Sequence, residues 1–158
     1  MGARSGPIII IEDDIDDQEI IKDVLQSLKV PNNLKFFSTC DDAYRYLDTT
    51  VDKPFLIFSD INMPGMSGAE LKRKINQAEH IRRKSIPFVF LTTTSAHGAV
   101  LDAYESLAQG FFTKPDNINS LKNMIEMILN YWKIARHPNP ALTWTDALAE
   151  ALLVVSFI

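Results

Sequence analysis

The 158-residue sequence predicts an α/β domain: a doubly wound, five-stranded parallel sheet with helices on both faces. Two observations carry that prediction. The strand-like runs Ile8–Ile11, Phe55–Ser59 and Ile86–Leu91 are apolar rather than alternating, the pattern of parallel strands covered on both sides. Between such runs, apolar residues return at helical spacing, so that strand and helix alternate five times.

Taken in order, Ile8–Ile11 is the first strand, followed by the acidic loop Glu12-Asp13-Asp14 and a helix with Ile20, Ile21, Val24, Leu25 and Leu28 on one face. Asp16 and Glu19 have capping-box spacing at its start, and Pro31 closes the segment. Leu34 to Thr39 reads as the second strand, and Asp41 or Asp42 opens a short helix through Leu47. The third strand ends at Asp60. Asn62-Met63-Pro64-Gly65 then forms a loop, and Ser67 caps a helix to about Asn76. After the fourth strand, Val100, Ala103, Tyr104 and Leu107 mark a helix, Phe111 to Thr113 a fifth strand, and Ile118 to Trp132 the last long helix.

Composition narrows the function classes. With 46% hydrophobic residues the chain can fill a core, and its length suits one domain with a tail. A net charge of −4 supplies no basic field for nucleic acid, and no apolar run reaches the ~20 residues of a membrane span. One cysteine, Cys40, and the lack of a signal-peptide pattern at the start point to the cytoplasm, with Cys40 read as a small buried hydrophobe. Residues 1–7 are expected to be a flexible start, 8–135 the domain, and 136–158 a tail.

In open parallel sheets, ligands bind beyond the carboxyl ends of the strands. Glu12, Asp13 and Asp14 follow the first strand, Asp60 the third, Thr92 the fourth and Lys114 the fifth, so four strand ends converge on one crevice. Several carboxylates in one pocket repel unless a cation neutralises them, and an oxygen-only donor set favours a hard ion, Mg2+ best. A carboxylate can attack phosphorus when metal and cation stabilise the transferring group. Asp60 is therefore the candidate nucleophile, Lys114 the cation, and Thr92 a hydroxyl that could sense an arriving phosphoryl oxygen.

The sequences Ile-Ile-Glu12-Asp13-Asp14, Asp60-Ile-Asn-Met-Pro-Gly-Met-Ser-Gly68, Leu91-Thr92-Thr93 and Phe111-Phe-Thr-Lys114-Pro115 resemble the receiver domains of response regulators, in order, over about Ile8 to Ala135. The resemblance implies a flavodoxin-like sheet of order 2-1-3-4-5, a strand order for which the family is itself a standard example, so it is an implication of the likeness. It further implies phosphorylation at Asp60, and Mg2+ held by Asp13, Asp60 and the backbone carbonyl of Asn62, with Glu12 acting through a metal-bound water. Thr92 and the aromatic Phe111 would form the switch; Phe here replaces the commoner Tyr, so it can report by packing but not by hydrogen bonding. Lys114-Pro115 resembles the family's cis peptide, with Pro115 aiming the amine inward. The phosphoryl donor would be a sensor histidine kinase or histidine phosphotransfer protein, and the output a downstream protein target. The domain would be a stand-alone signalling module whose chemistry is limited to its own phosphorylation and dephosphorylation.

Other readings compete. A haloacid-dehalogenase-type phosphohydrolase needs an aspartate two residues after the nucleophile, where this chain has Asn62. A receiver-like binding module that is never phosphorylated would carry its acidic set without return. Asp14, Asp16 and Asp17 read chiefly as caps and solvated charges, and His80, His97 and His137 lack ligand spacing. Arg82, Arg83 and Lys84 either meet an acidic partner or form a solvated helix end. Past Arg136-His-Pro-Asn-Pro140, the apolar end of the sequence packs on its own domain, mediates a homodimer, or is foreign to the native protein.

Overall fold

Ile8, Ile9, Ile10 and Ile11 are each at most 1% exposed, because alternate side chains of this strand point into two different cores. Ile9 and Ile11 join one cluster with Ile57 and Phe90, while Ile8 and Ile10 join the other with Phe58 and Leu91. This is why no polar residue interrupts the run. The computed structural model describes residues 3–136.

Five strands form one parallel sheet: β1 (Ile8–Ile11), β2 (Leu34–Phe37), β3 (Leu56–Ser59), β4 (Phe88–Thr92) and β5 (Gly110–Thr113). Their order is β2-β1-β3-β4-β5, with Ile8 opposite Leu34 and Leu56 on its two sides. The helices are α1 (Ile15–Ser27), α2 (Cys40–Thr49), α3 (Gly68–Gln77), α4 (Glu79–Arg82), α5 (His97–Glu105) and α6 (Ile118–Ile134). α1 and α6 bury Leu25, Ile125 and Leu129 on one face of the sheet, and α2 and α3 bury Leu47, Leu71 and Ile75 on the other. Each such side chain contributes roughly 1.5–3 kcal/mol on leaving water.

Local chemistry sets the helix starts. Ser67 caps α3 in a full capping box, its Oγ accepting from Glu70 N–H at 3.1 Å while Glu70 Oε2 accepts from Ser67 N–H at 2.8 Å. At α1 the expected Asp16–Glu19 box is not formed. Asp14 is the cap instead, its Oδ1 accepting from Asp16 N–H at 2.9 Å and Asp17 N–H at 3.1 Å, since the acidic loop closes directly after β1. Thr39, rather than Asp41 or Asp42, caps α2. The connection before β4 contains α4, whose Ile81 is buried.

Residues 4–7 make defined contacts with the domain. The buried Asn32 side chain donates to the carbonyls of Arg4 (2.9 Å) and Gly6 (2.7 Å), and Gly6 and Pro7 are buried. The basic run is also less free than its sequence implies: Arg83 pairs with Glu79 at 2.6 Å, and Lys84 donates to the carbonyls of Thr50 (2.6 Å) and Asp52 (3.0 Å). The expected tail, apart from Arg136, lies outside the described residues. Among the described residues, no helix is long and apolar enough to cross a membrane.

Cys40 is fully buried at the start of α2, and burial pushes its thiol up to about 12, with Asp41, Glu70 and Asp60 adding to the shift. The folded protein thus keeps a proton that the unfolded chain releases near 9.0. The associated stability is complete below that value and is lost as pH climbs toward the folded value, with a slope of up to about 1.4 kcal/mol per pH unit. Unfolding measured from about pH 8 to about pH 11 should show this loss in the native sequence and not in Cys40→Ala. Equal slopes for the two proteins would refute it.

Candidate functional site

The carboxyl ends of β1, β3, β4 and β5 bring Glu12, Asp60, Thr92 and Lys114 together, as their positions in the sequence predict. Asp60 follows β3 directly, and its amide donates to the Ile11 carbonyl at 2.9 Å, which ties it to the end of β1. The residue is only 9% exposed and its carboxylate is asymmetrically held. Oδ1 accepts from the Thr92 hydroxyl at 2.6 Å, the Ile61 N–H at 2.6 Å and the Asn62 N–H at 3.3 Å. Oδ2 has no hydrogen-bond donor among the described residues and lies 4.0 Å from the Lys114 ammonium. One oxygen is saturated, and the other faces a cation.

Glu12 is 2% exposed and Asp13 is exposed; a carboxylate oxygen from each and one from Asp60 lie within 4.8 Å of one another. An all-oxygen trio of this kind fits a hard divalent cation, and these three residues could hold one. Asn62 is exposed, and its amide contact to Asp60 keeps its backbone beside the cluster.

Lys114 is the counterweight. Its amide donates to the Thr92 carbonyl at 2.8 Å, which sets the chain direction after β5. Its ammonium reaches Glu12 Oε2 at 2.5 Å and Asp17 Oδ2 at 2.8 Å. The role of Asp17 is invisible in the sequence, where it reads as a surface acid of α1; the partner is 97 residues away. Gln18 is a second addition, its amide donating to the Glu12 carbonyl and to Ser38 Oγ (3.1 Å). Together they anchor the acidic loop and the lysine from one turn of α1.

The electrostatics follow from unequal sharing. Burial pushes the Glu12 carboxyl above its usual range; the hydrogen bonds from Lys114 and Asp14 N–H pull it down, and the charge of Asp60 pushes it up. Burial alone would lower the Lys114 ammonium, but hydrogen bonds to Asp17 and Glu12 reverse this and hold it above the ordinary lysine value. The lysine has several anions within reach and Glu12 has one cation, so the amine stays charged.

Phe111, on β5, is half-buried with its ring 6.4 Å from that of Phe90 and tilted by 49°. It packs against the core cluster that also holds Phe88 and Ala103. The expected cis bond before Pro115 is absent: every peptide bond among the described residues is trans. Trans is the lower-energy isomer even before proline, by roughly 0.5–1 kcal/mol, and Lys114 reaches Glu12 and Asp17 with the bond in that form.

The sequence matches the response regulator receiver domain family over residues 8–126. It is 28% identical to response regulator Rcp1 of Synechocystis over 140 residues, covering 84% of this chain and 94% of that protein. It is 29% identical to chemotaxis protein CheY1 of Helicobacter pylori over 122 residues, covering 77% of this chain and 95% of that protein. Among solved structures, the Mn(2+)-bound form of response regulator Rcp1 superimposes with a TM-score of 0.70 at 26% identity, covering 83% of this chain and 97% of that one. The acidic trio, the order of the sheet and these likenesses converge, and the chain belongs to the response regulator receiver domain family, whose role is phosphoacceptor signalling.

Proposed function

We propose that Asp60 is the phosphoacceptor, that Glu12, Asp13, Asp60 and the backbone of Asn62 hold Mg2+, and that a histidine kinase or histidine phosphotransfer protein supplies the phosphoryl group. The observation that carries this reading is the division of labour at Asp60: Oδ1 is held by three donors, and Oδ2 is left toward Lys114. A bond forms between Oδ2 and phosphorus as the bond from phosphorus to the donor breaks and the leaving group departs with its electrons. Bound at the trio, Mg2+ would neutralise charge on the phosphoryl oxygens. Lys114 adds a fixed positive charge at the same place, and Asp17 acts as a positioning residue by holding that amine.

Thr92 supplies the switch. Its hydroxyl now donates to Asp60 Oδ1, so an added phosphoryl group gives that hydroxyl a new acceptor and draws the end of β4 with it. Phe111 packs beside Phe90 on β4, so movement there changes the packing of its ring. The message leaves through a downstream protein, and residues 8–135 form the receiver unit, working in the cytoplasm. Turnover of a small substrate is not part of this role.

The test is incubation with Mg2+ and acetyl phosphate, followed by intact mass and by peptide mapping after borohydride reduction of the acyl phosphate. One added phosphoryl group mapping to Asp60, and not formed when Mg2+ is chelated before the donor is added, is the expected result. A modification at a histidine or serine would overturn the assignment.

A further inference from the structure

At the opposite end of the sheet from Asp60, beneath the starts of β3 and β4, lies a cavity of about 510 Å³. That is within the roughly 300–1,000 Å³ of small-molecule sites. Its walls include Ile57, Ile81, Ile86, Phe88, Leu107 and Trp132. Three cations also line it, Lys72, Arg82 and Arg136, and no Asp or Glu does, in a chain whose net charge is −4.

Lys72 is the unusual one. It sits on α3, 6% exposed, and no carboxylate among the described residues lies within ion-pair reach. Its ammonium donates to the neutral Asn76 Oδ1 at 2.8 Å and stands 5.9 Å from the Phe88 ring centroid. Asn76 cannot turn away, since its own amide donates to the Ser106 carbonyl at 2.8 Å. A buried ammonium has three donors to satisfy, and a charge left without a counter-ion in such a place is costly. Burial accordingly lowers the lysine below its ordinary value. Arg82 spans the cavity edge toward the Asn76 carbonyl at 3.5 Å, and Arg136 is exposed at the end of α6.

We propose that this cavity is a binding site for a small organic carboxylate with an apolar or aromatic body: the carboxylate pairs with Lys72 beside Arg82 and Arg136, and the body lies against Ile86, Leu107 and Trp132. The site is separate from the phosphoacceptor cluster, shares no residue with it, and stands whether or not Asp60 is the acceptor. The apolar walls select against inorganic phosphate, which would bring charge without surface to bury. The lone buried cation selects against a neutral ligand.

Ser85 provides a clean perturbation. It is exposed, lines the cavity and has φ of 49°, a conformation that Asp and Asn tolerate better than most residues. Titrations of the isotope-labelled chain with 2-naphthoate, 2-naphthamide and inorganic phosphate, followed by NMR shifts, read the site directly. Naphthoate is expected to bind at about millimolar Kd or tighter and to move the Trp132 indole and Lys72 signals. Lys72→Met, which keeps the apolar stem, should weaken naphthoate at least tenfold and leave the weak naphthamide binding unchanged. Ser85→Asp should weaken naphthoate about fivefold by like-charge repulsion while Ser85→Asn does not. No naphthoate binding, equal affinity for the amide or for phosphate, or shifts centred on Glu12 and Lys114 would overturn the proposal. If Lys72→Met does not fold, the Ser85 pair decides: equal affinities for the two variants would also overturn it.

Discussion

Asp60→Asn is expected to abolish phosphoryl uptake, with a fall of at least about a thousand-fold, while leaving the fold as stable as before or slightly more so. The two effects have separate causes. An amide has no anionic oxygen to attack phosphorus, so the bond-forming step loses its nucleophile. The amide oxygen can still accept from Thr92, Ile61 N–H and Asn62 N–H, the three donors now on Oδ1, so the local backbone keeps its ties. Losing the charge also removes one cause that pushes Glu12 upward, and relief of like-charge repulsion within the acidic trio adds up to about 1 kcal/mol. Intact mass after phosphodonor treatment and urea unfolding measure the two halves independently. Native-level uptake by the variant would remove Asp60 from its proposed role.

Gly68→Ala is expected to cost about 3 kcal/mol or more. A Cβ at Gly68 would stand 2.3 Å from the Asp60 carbonyl oxygen, 2.7 Å from Phe90 Cε1 and 3.1 Å from Ser59 Oγ. The nearest of these is backbone, which cannot rotate aside, so either the start of α3 or the end of β3 must move. Overpacking of this kind costs roughly 1–3 kcal/mol, and more where backbone shifts. Gly68 N–H also donates to the Ile61 carbonyl at 3.0 Å, so the displacement is passed to the loop that carries Asp60. The control is Gly98→Ala in α5, where a Cβ meets nothing within 4 Å and helix propensity favours alanine by up to about 1 kcal/mol. A loss for Gly68→Ala no greater than about 0.5 kcal/mol in chemical denaturation would show that the loop can yield.

What could be read from the sequence was what local pattern encodes. The apolar run Ile8–Ile11 announced a strand buried on both sides, and Ser67 announced the start of α3. The convergence of Glu12, Asp60, Thr92 and Lys114 followed from strand ends in a parallel sheet, each residue standing at or just past the carboxyl end of its strand. Asp17 was missed because nothing next to it in sequence distinguishes an acid that pairs with Lys114 from one that faces water. The cap of α1 was misplaced for a related reason: Asp14, Asp16 and Asp17 all have the chemistry of a cap, and only the exit path of the chain from β1 selects Asp14. The close approach that requires Gly68 depends on where Asp60 and Phe90 lie in space. The cavity around Lys72 is legible only in three dimensions, since residues 57 to 136 contribute to it.

The strand order has a bearing on how the chain comes into being. β1 lies in the interior of the sheet, β2 and β3 take its two sides, β4 adds to β3, and β5 adds to β4. Every strand after β1 therefore pairs with a strand synthesised before it, and none of those four depends on a later one for its first partner. With synthesis at about 5–20 residues per second, the growing sheet needs no rearrangement to admit each newcomer. The edge left open on one side is β2, where Lys35 sits in the strand, a charge of the kind that discourages a second chain from pairing there.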